Sequence, residues 1–185
     1  MRSRIIGLFA LLSATASQAE RISEPYAKVG YWEITTENHS LCLMQSGYPG
    51  KVADDDEVLM IAYNAEKKTA VLGWTSRKPK FPALADSLDL QLSFLKGRSP
   101  LNESWGSQPF HIEKSAGSYS FGHVFKGSTD SERFLRDLAS HDALVLFFGP
   151  IMLTSLPLKA SDAVAKLREC SSRIAEQDVS DRMQK

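Results

Sequence analysis

The chain has 185 residues, with 22 basic and 22 acidic side chains and a formal net charge of zero. This length is enough for one domain with a substantial core. The balanced charge argues against a nucleic-acid-binding protein, because such proteins concentrate basic residues on one surface. It argues equally against electrostatic docking on an anionic membrane.

The first 19 residues have the three parts of a cleavable export signal. Arg2 and Arg4 give a positive start, residues 5–12 form a short apolar run, and residues 17–19 place small side chains where a signal peptidase cleaves. The apolar run is far shorter than the ~20 residues that span a bilayer. We therefore predict a signal peptide over 1–19 and a periplasmic or secreted protein with no membrane span. Cleavage leaves 20 basic against 22 acidic residues, a net charge of −2.

Cys42 and Cys170 are the only two cysteines. Export favours disulfides, Cys42 lies in a strand-like apolar run, and Cys170 lies on the apolar stripe of a predicted helix. We predict that they form a disulfide closing a loop of about 130 residues, which stabilises by up to roughly 5 kcal/mol in the chain-entropy model. Two buried free thiols are the alternative. A zinc site or redox motif is disfavoured, because zinc takes four closely spaced ligands and C-x-x-C is absent.

Apolar and polar side chains alternate along most of the chain, which indicates half-buried β-strands. In chain order, strands are predicted over residues 32–36, 56–63, 68–75, 88–94, 108–113 and 119–125. Gly149-Pro150 then predicts a last hairpin between residues 143–148 and 151–156.

Two helices interrupt the strands. Thr129 and Glu132 have the spacing of a capping box, in which each side chain bonds the other's backbone amide, so the first helix is predicted to start there. The second helix is predicted from Ser161 to Ala175, on the helical spacing of its apolar residues. The residues that follow are polar. We therefore divide the exported chain into one β-rich domain, 20–176, and a polar tail, 177–185.

These elements predict an α+β fold. The sheet is expected to be mostly antiparallel and arranged as a β-sandwich or a partly open barrel. The C-terminal helix is expected to pack on the sheet, with Cys170 directed at the strand that holds Cys42.

The order of these features resembles small exported proteins of alphaproteobacteria and, more loosely, the invasion-associated locus B family. The likeness rests on the export signal, the Trp32-Glu33 strand, the cysteine on the next strand, and two helices. The first helix contains Phe-x-x-x-Leu, starting at Phe134, and the second contains Ala-x-x-x-Leu-x-x-Cys, starting at Ala163. The resemblance is architectural and implies an exported β-rich protein. It brings no catalytic residues with it.

The sequence contains none of the compact catalytic signatures. There is no G-x-S-x-G elbow, no glycine-rich phosphate loop and no H-E-x-x-H, and the four histidines are scattered. No cofactor is expected. The leading hypothesis is a non-enzymatic binding or accessory protein of the cell envelope, a monomer that contacts an envelope protein or a cell-wall component. The alternative is an inhibitor or immunity-type protein that blocks an envelope enzyme such as a lysozyme, and a hydrolase is less favoured.

Four residues are candidate ligand contacts. His123 shares a strand face with Tyr119, Phe121 and Phe125, which favours either a partly apolar cleft or a core-edge histidine with a hydrogen-bond partner. The other candidates, each weighed against core packing or a solvated loop, are Trp74, Lys78 and Lys80.

The reasons differ between these candidates. An exposed Trp74 would suit a peptide or sugar contact. Lys78 and Lys80 lie in a basic loop, 76–86, which would suit an anionic polymer or insertion into an enzyme's cleft. The acidic run 54–57 lacks the ligand spacing of a calcium loop and favours a solvated turn.

Overall fold

A computed structural model of the chain describes residues 23–49, 56–77, 86–97, 103–115 and 117–183. Within these ranges lie ten strands and two helices. Their bounds are β1 Ser23–Val29, β2 Trp32–Glu37, β3 Leu41–Tyr48, β4 Glu57–Asn64, β5 Thr69–Ser76, β6 Ser87–Leu95, β7 Glu103–Ser115, β8 Ser118–Lys126, α1 Ser128–Ser140, β9 Ala143–Phe148, β10 Ile151–Pro157 and α2 Ser161–Met183. The predicted signal peptide, residues 1–19, and the two lysines of the basic loop lie outside the described residues.

The strands form one sheet in the order β1-β2-β3-β4-β5-β8-β7-β6-β9-β10. Each neighbouring pair is antiparallel. The outermost strands, β1 and β10, each pair on one side only, so the sheet is not closed. This confirms the predicted α+β fold with a mostly antiparallel sheet.

The sheet curls so that its last strand, β10, comes against β2, β3 and β4 near the other end. Three hydrogen bonds join β10 and the residue after it to these strands: Trp32 Nε1 donates to the Leu158 carbonyl, Tyr48 Oη to the Pro157 carbonyl and Thr154 Oγ1 to the Glu57 carboxylate, at 2.9, 2.8 and 2.8 Å. Because these bonds involve side chains, they bring the ends together without forming a ladder. The result is a partly open barrel with the main apolar core inside it, and a second, small buried cluster of Leu43, Met60 and Ala62 lies on the opposite face of β3 and β4.

Helix α2 covers β1 to β4 and is tied to them at several points. Cys170 forms the predicted disulfide with Cys42 of β3, with a Cα–Cα distance of 6.1 Å. The next residue, Ser171, accepts a hydrogen bond from the Ala65 backbone amide after β4. Tyr26 of β1 donates to Glu169 on the exposed side of the helix. The first strands and the last helix are therefore cross-linked covalently and by hydrogen bonds.

Helix α1 lies against β5, β8 and α2. Its buried face carries Phe134, Leu135 and Leu138. The prediction of a capping box at Thr129 and Glu132 is wrong. The helix begins at Ser128, its N-cap is Gly127, and no side chain caps it. Glu132 is used elsewhere, because it accepts hydrogen bonds from Tyr63 and pairs with Arg168 of α2 at 2.6 Å.

Helix α2 extends well past the predicted end at Ala175, to Met183. No glycine or proline follows Ala160 in the sequence, so nothing in the predicted polar tail stops the helix. Ser180 Oγ donates to the Glu176 carbonyl, a local bond of a continuing helix. Across the described ranges, neither helix has the length and apolar character needed to cross a bilayer.

Candidate functional site

The sheet divides partway along β7 and β8. The two strands pair from Ser115 and Ser118 at their turn as far as His111 and Gly122, and no further. Beyond that point β7 continues beside β6, and β8 continues beside β5. We call the region between the separated parts, residues 103–110 of β7 and 123–126 of β8, the fork.

Proline explains where the ladder ends. In an antiparallel ladder, alternate residue pairs exchange two backbone hydrogen bonds. Ser115 and Ser118 flank a two-residue turn and are such a pair, so the alternation predicts that Pro109 and Val124 would be another. Pro109 has no backbone N–H, and the ladder stops before it reaches this pair.

His123 bonds the carbonyl that the missing ladder leaves free. Its Nδ1 lies 2.9 Å from the Pro109 carbonyl oxygen. Since a carbonyl only accepts, Nδ1 carries the proton and the lone pair of the neutral ring is on Nε2. Burial lowers the pKa of His123 below 6.5, opposed in part by the bond to Pro109 and by the charge of Asp130.

Aromatic side chains fill the inner side of the fork. The rings of Phe125 and Phe134 stack with centroids 4.1 Å apart, and Trp105 meets Phe125 edge-on at 5.0 Å. The Arg133 guanidinium lies 4.2 Å from the centroid of the Trp105 ring. These contacts join β7 to β8 and α1 through side chains where backbone pairing is absent.

Asp137 of α1 holds Trp105 in place. Its carboxylate is 5% exposed and accepts a hydrogen bond from Trp105 Nε1 at 3.0 Å. Arg133 Nε lies 3.6 Å from the same carboxylate, so the buried charge has a cation beside it. Gly127, with φ of 84°, makes the turn that brings α1 against the fork directly after β8.

The outer side of the fork is open to solvent. Ser107 and Pro109 on β7, and Val124 and Lys126 on β8, are all exposed. Val124 is 36% exposed and is one of four large apolar side chains at or above that exposure among the described residues. The fork is therefore covered by side chains on the inside and accessible from the outside.

The imidazole of His123 is the main titratable group of the fork. It is half-buried, with ring centroids of Phe110 and Phe125 at 5.5 and 4.5 Å. No described hydroxyl, thiol or carboxylate forms a hydrogen bond with it. Across the described ranges no three His, Cys, Asp or Glu side chains are grouped to hold a metal ion. The arrangement suits recognition by hydrogen bonding at Nε2.

Trp74 is not a surface contact, and this prediction is wrong. It is 1% exposed and stacks on Phe121 with centroids 4.7 Å apart. It lies on the core face because Leu59 and Phe121, its partners on β4 and β8, are both buried. Its Nε1 is buried without a hydrogen-bond partner. Lys78 and Lys80 lie outside the described residues and stay predictions.

Three fork residues were not among the predicted contacts: Trp105, Pro109 and Val124. A signal for Pro109 was present, because a proline within a predicted strand marks an edge or the end of pairing. Nothing comparable distinguishes Trp105 or Val124. Their role depends on which strand pairs with β7 before His111. The alternation of apolar and polar residues along one strand does not contain that information.

The fold and the fork define a disulfide-linked antiparallel β protein in which the edge of β8 beyond Gly122 is open to solvent. No protein-family model, curated protein or solved structure matches this chain.

Proposed function

We propose that this is a non-enzymatic exported protein of the cell envelope, periplasmic in location, which binds an envelope component at the fork. One observation carries the proposal: β7 and β8, which pair near their turn, separate beyond His111 and Gly122 on a solvent-exposed side of the sheet. Exposed, unpaired strand edges invite association, and proteins usually avoid them. The disulfide supports export, because such bonds persist in oxidising compartments.

The fork supports binding better than it supports catalysis. Covalent catalysis pairs a nucleophilic side chain with its base by a hydrogen bond, and among the described residues no hydroxyl or thiol forms such a bond with His123. Its lowered pKa keeps the ring neutral near pH 7, which suits an acceptor. The inhibitor hypothesis depends on Lys78 and Lys80, which lie outside the described residues.

Crosslinking in living cells tests the proposal. A photoreactive phenylalanine derivative replaces Val124 or Ser107 in the fork, and in a control chain it replaces Tyr31, which is aromatic, 78% exposed and located in the β1–β2 turn. We expect a reproducible crosslinked product from the fork positions that the Tyr31 position does not give. Products identical at all three positions, or none at the fork, would overturn the proposal.

The identity of the product distinguishes the classes of partner. Mass spectrometry of a protein product names an envelope protein directly. A product that muramidase digestion shortens indicates a cell-wall polymer. A protein product that is itself an envelope hydrolase would favour the inhibitor hypothesis over an accessory role.

A further inference from the structure

We propose that the fork binds an extended polypeptide segment, which adds as a strand to the free edge of β8 at Val124 and Lys126. This inference rests on the proposed binding function and names the class of partner. The geometry that carries it is the backbone of β8 beyond Gly122, which has a partner strand on one side and none on the other among the described residues.

The alternation of hydrogen bonds determines which backbone groups face the fork. On the β7 side, Ser118, Ser120 and Gly122 belong to the doubly bonded pairs. Continuing by twos, Val124 and Lys126 direct their N–H and C=O groups to that same side. His123 and Phe125 bond β5 instead, through Leu72 and Ala70. Two amides and two carbonyls of β8 are thus directed into the fork.

The two outermost strands of the sheet, β1 and β10, are protected against such pairing. On β1, Pro25 removes a donor and the register shifts at Pro25/Ala27. On β10, the register shifts between Met152 and Thr154, and a proline lies at position 150 and another at 157. The fork edge of β8 has no proline, no shift in its pairing with β5, and both residues exposed.

The side chains beside this edge indicate what the added strand carries. Val124 and Lys126 point to the outer face, since Phe121 and Phe125 point into the core. Directly paired side chains on one face lie close enough to interact. An apolar residue therefore fits beside Val124 and Pro109, and an acidic residue two positions away fits beside Lys126. A polysaccharide lacks the alternating N–H and C=O groups that a strand edge recognises, which favours a polypeptide.

Amide hydrogen exchange measured by NMR tests the free protein first. If the edge is unpaired, the amides of Val124 and Lys126 exchange on the order of 100-fold faster than those of His123 and Phe125, which bond β5. The comparison is internal to one strand, so differences in global stability cancel. Equal protection at all four positions would overturn the proposal, because it would mean that the edge is already paired or covered.

The probe for binding is a set of synthetic octapeptides in which Val or Ile lies two positions from Asp or Glu and the remaining positions are Thr or Ser. At ten times the dissociation constant, we expect exchange at Val124 and Lys126 to slow about tenfold. The same peptides with alternate amides N-methylated are the control, and they should not slow exchange. Slowing by both sets, or by neither, would contradict strand addition.

Two variants of the protein separate the contribution of the Val124 backbone amide to peptide binding from that of the Val124 side chain. Val124→Pro removes the amide that faces the fork and leaves the β5 ladder intact, whereas Val124→Thr keeps the amide. Peptide binding should fall at least tenfold in the first variant and less than threefold in the second. Equal losses would refute a backbone contact. Should Val124→Pro fail to fold, the N-methylated peptides still decide the question.

The two proposals fail in different ways. A crosslinked protein at the fork whose complex leaves the Val124 and Lys126 amides unprotected would keep the binding function and remove strand addition. Absence of any fork-specific crosslink would remove the binding function itself, whatever the exchange rates show.

Discussion

The strand that carries Cys42, β3, and the strand that carries His123, β8, both pair in antiparallel fashion with their neighbours. They differ in how much of each strand has a partner and in what holds it in place. β3 pairs with β4 over Cys42–Tyr48 and with β2 over Leu41–Gln45, and α2 is bonded to it through the disulfide. β8 loses one partner at Gly122, and side chains of β7 and α1 fill the inner side of the gap. The first region is held covalently and by backbone pairing, and the second by aromatic packing.

The difference shows how an open strand edge can exist in a stable protein. Local openings cost less free energy where backbone pairing is missing, provided that the rest of the fold remains cooperative. The disulfide and the hydrogen bonds of α2 to the sheet involve β1, β3 and the residue after β4, and none of these strands neighbours β8. Changes in the fork should therefore alter binding with small effects on stability, and changes at the disulfide should do the reverse.

The largest effect is expected from the disulfide. Cys42→Ala opens a covalent link with a sequence separation of 128 residues, so it should lower the free energy of unfolding by up to about 5 kcal/mol. Urea unfolding followed by tryptophan fluorescence measures this change. Cys170→Ala and the double variant should lose the same amount, because each opens the same loop.

Alkylation provides an independent check of the same bond. The denatured, non-reduced protein should label at neither cysteine and the reduced protein at both. An unfolding midpoint that reductant leaves unchanged would show that the covalent link is not what distinguishes this half of the molecule.

A smaller loss is expected from Trp105→Phe in the fork. The change deletes the hydrogen bond to Asp137, whose carboxylate is 5% exposed, and should cost about 2 kcal/mol. A double-mutant cycle with Asp137→Asn measures the coupling, which should exceed about 0.5 kcal/mol. Additive losses would mean that Trp105 contributes through packing alone.

Tyr63 of β4 donates a hydrogen bond to Glu132 and so links α1 to the part of the sheet next to the disulfide. We expect this link to weaken at high pH. Burial and the hydrogen bond to Glu132 raise its pKa to about 12 from 10.0. The contribution of Tyr63 to the free energy of unfolding is therefore complete below pH 10. It is lost as the pH rises through 12, because the tyrosine ionises at a lower pH in the unfolded chain than in the folded protein. Tyr63→Phe should lower the free energy of unfolding by about 1.5 kcal/mol at neutral pH. Absorbance at 295 nm should lose its highest-pH transition in this variant; an unchanged titration would contradict the assignment.

The disulfide between β3 and α2 could be predicted from the sequence, and the fork could not. Two cysteines in a chain with a predicted export signal allow one intramolecular disulfide, and alternation identifies the faces of β8. Trp74 and Trp105 have similar neighbours in sequence, yet Trp74 is in the core and Trp105 is at the fork. What separates them is pairing between distant strands, and it depends on the register of the sheet.

Pro109 is the exception, because its effect can be predicted in part from chemistry. A proline must end or bend a ladder wherever its nitrogen would donate, and here it does so. The sequence does not say which neighbouring strand loses the bond, because the side to which position 109 faces depends on the length of the β7–β8 turn. The fork thus follows from one residue type combined with one turn.

The smallest expected effect is the pH dependence of His123. Burial lowers its pKa below 6.5, so its contribution to stability is complete above pH 6.5 and is lost as the pH falls through the folded-state value. His123→Gln keeps a donor for the Pro109 carbonyl and removes the titration. The difference in unfolding free energy between wild type and variant should shrink on acidification, whereas the difference for Cys42→Ala should not. NMR titration of the imidazole gives the pKa directly. A value above 6.5 would reverse the direction of the pH dependence, and it would mean that a nearby negative charge outweighs burial at His123.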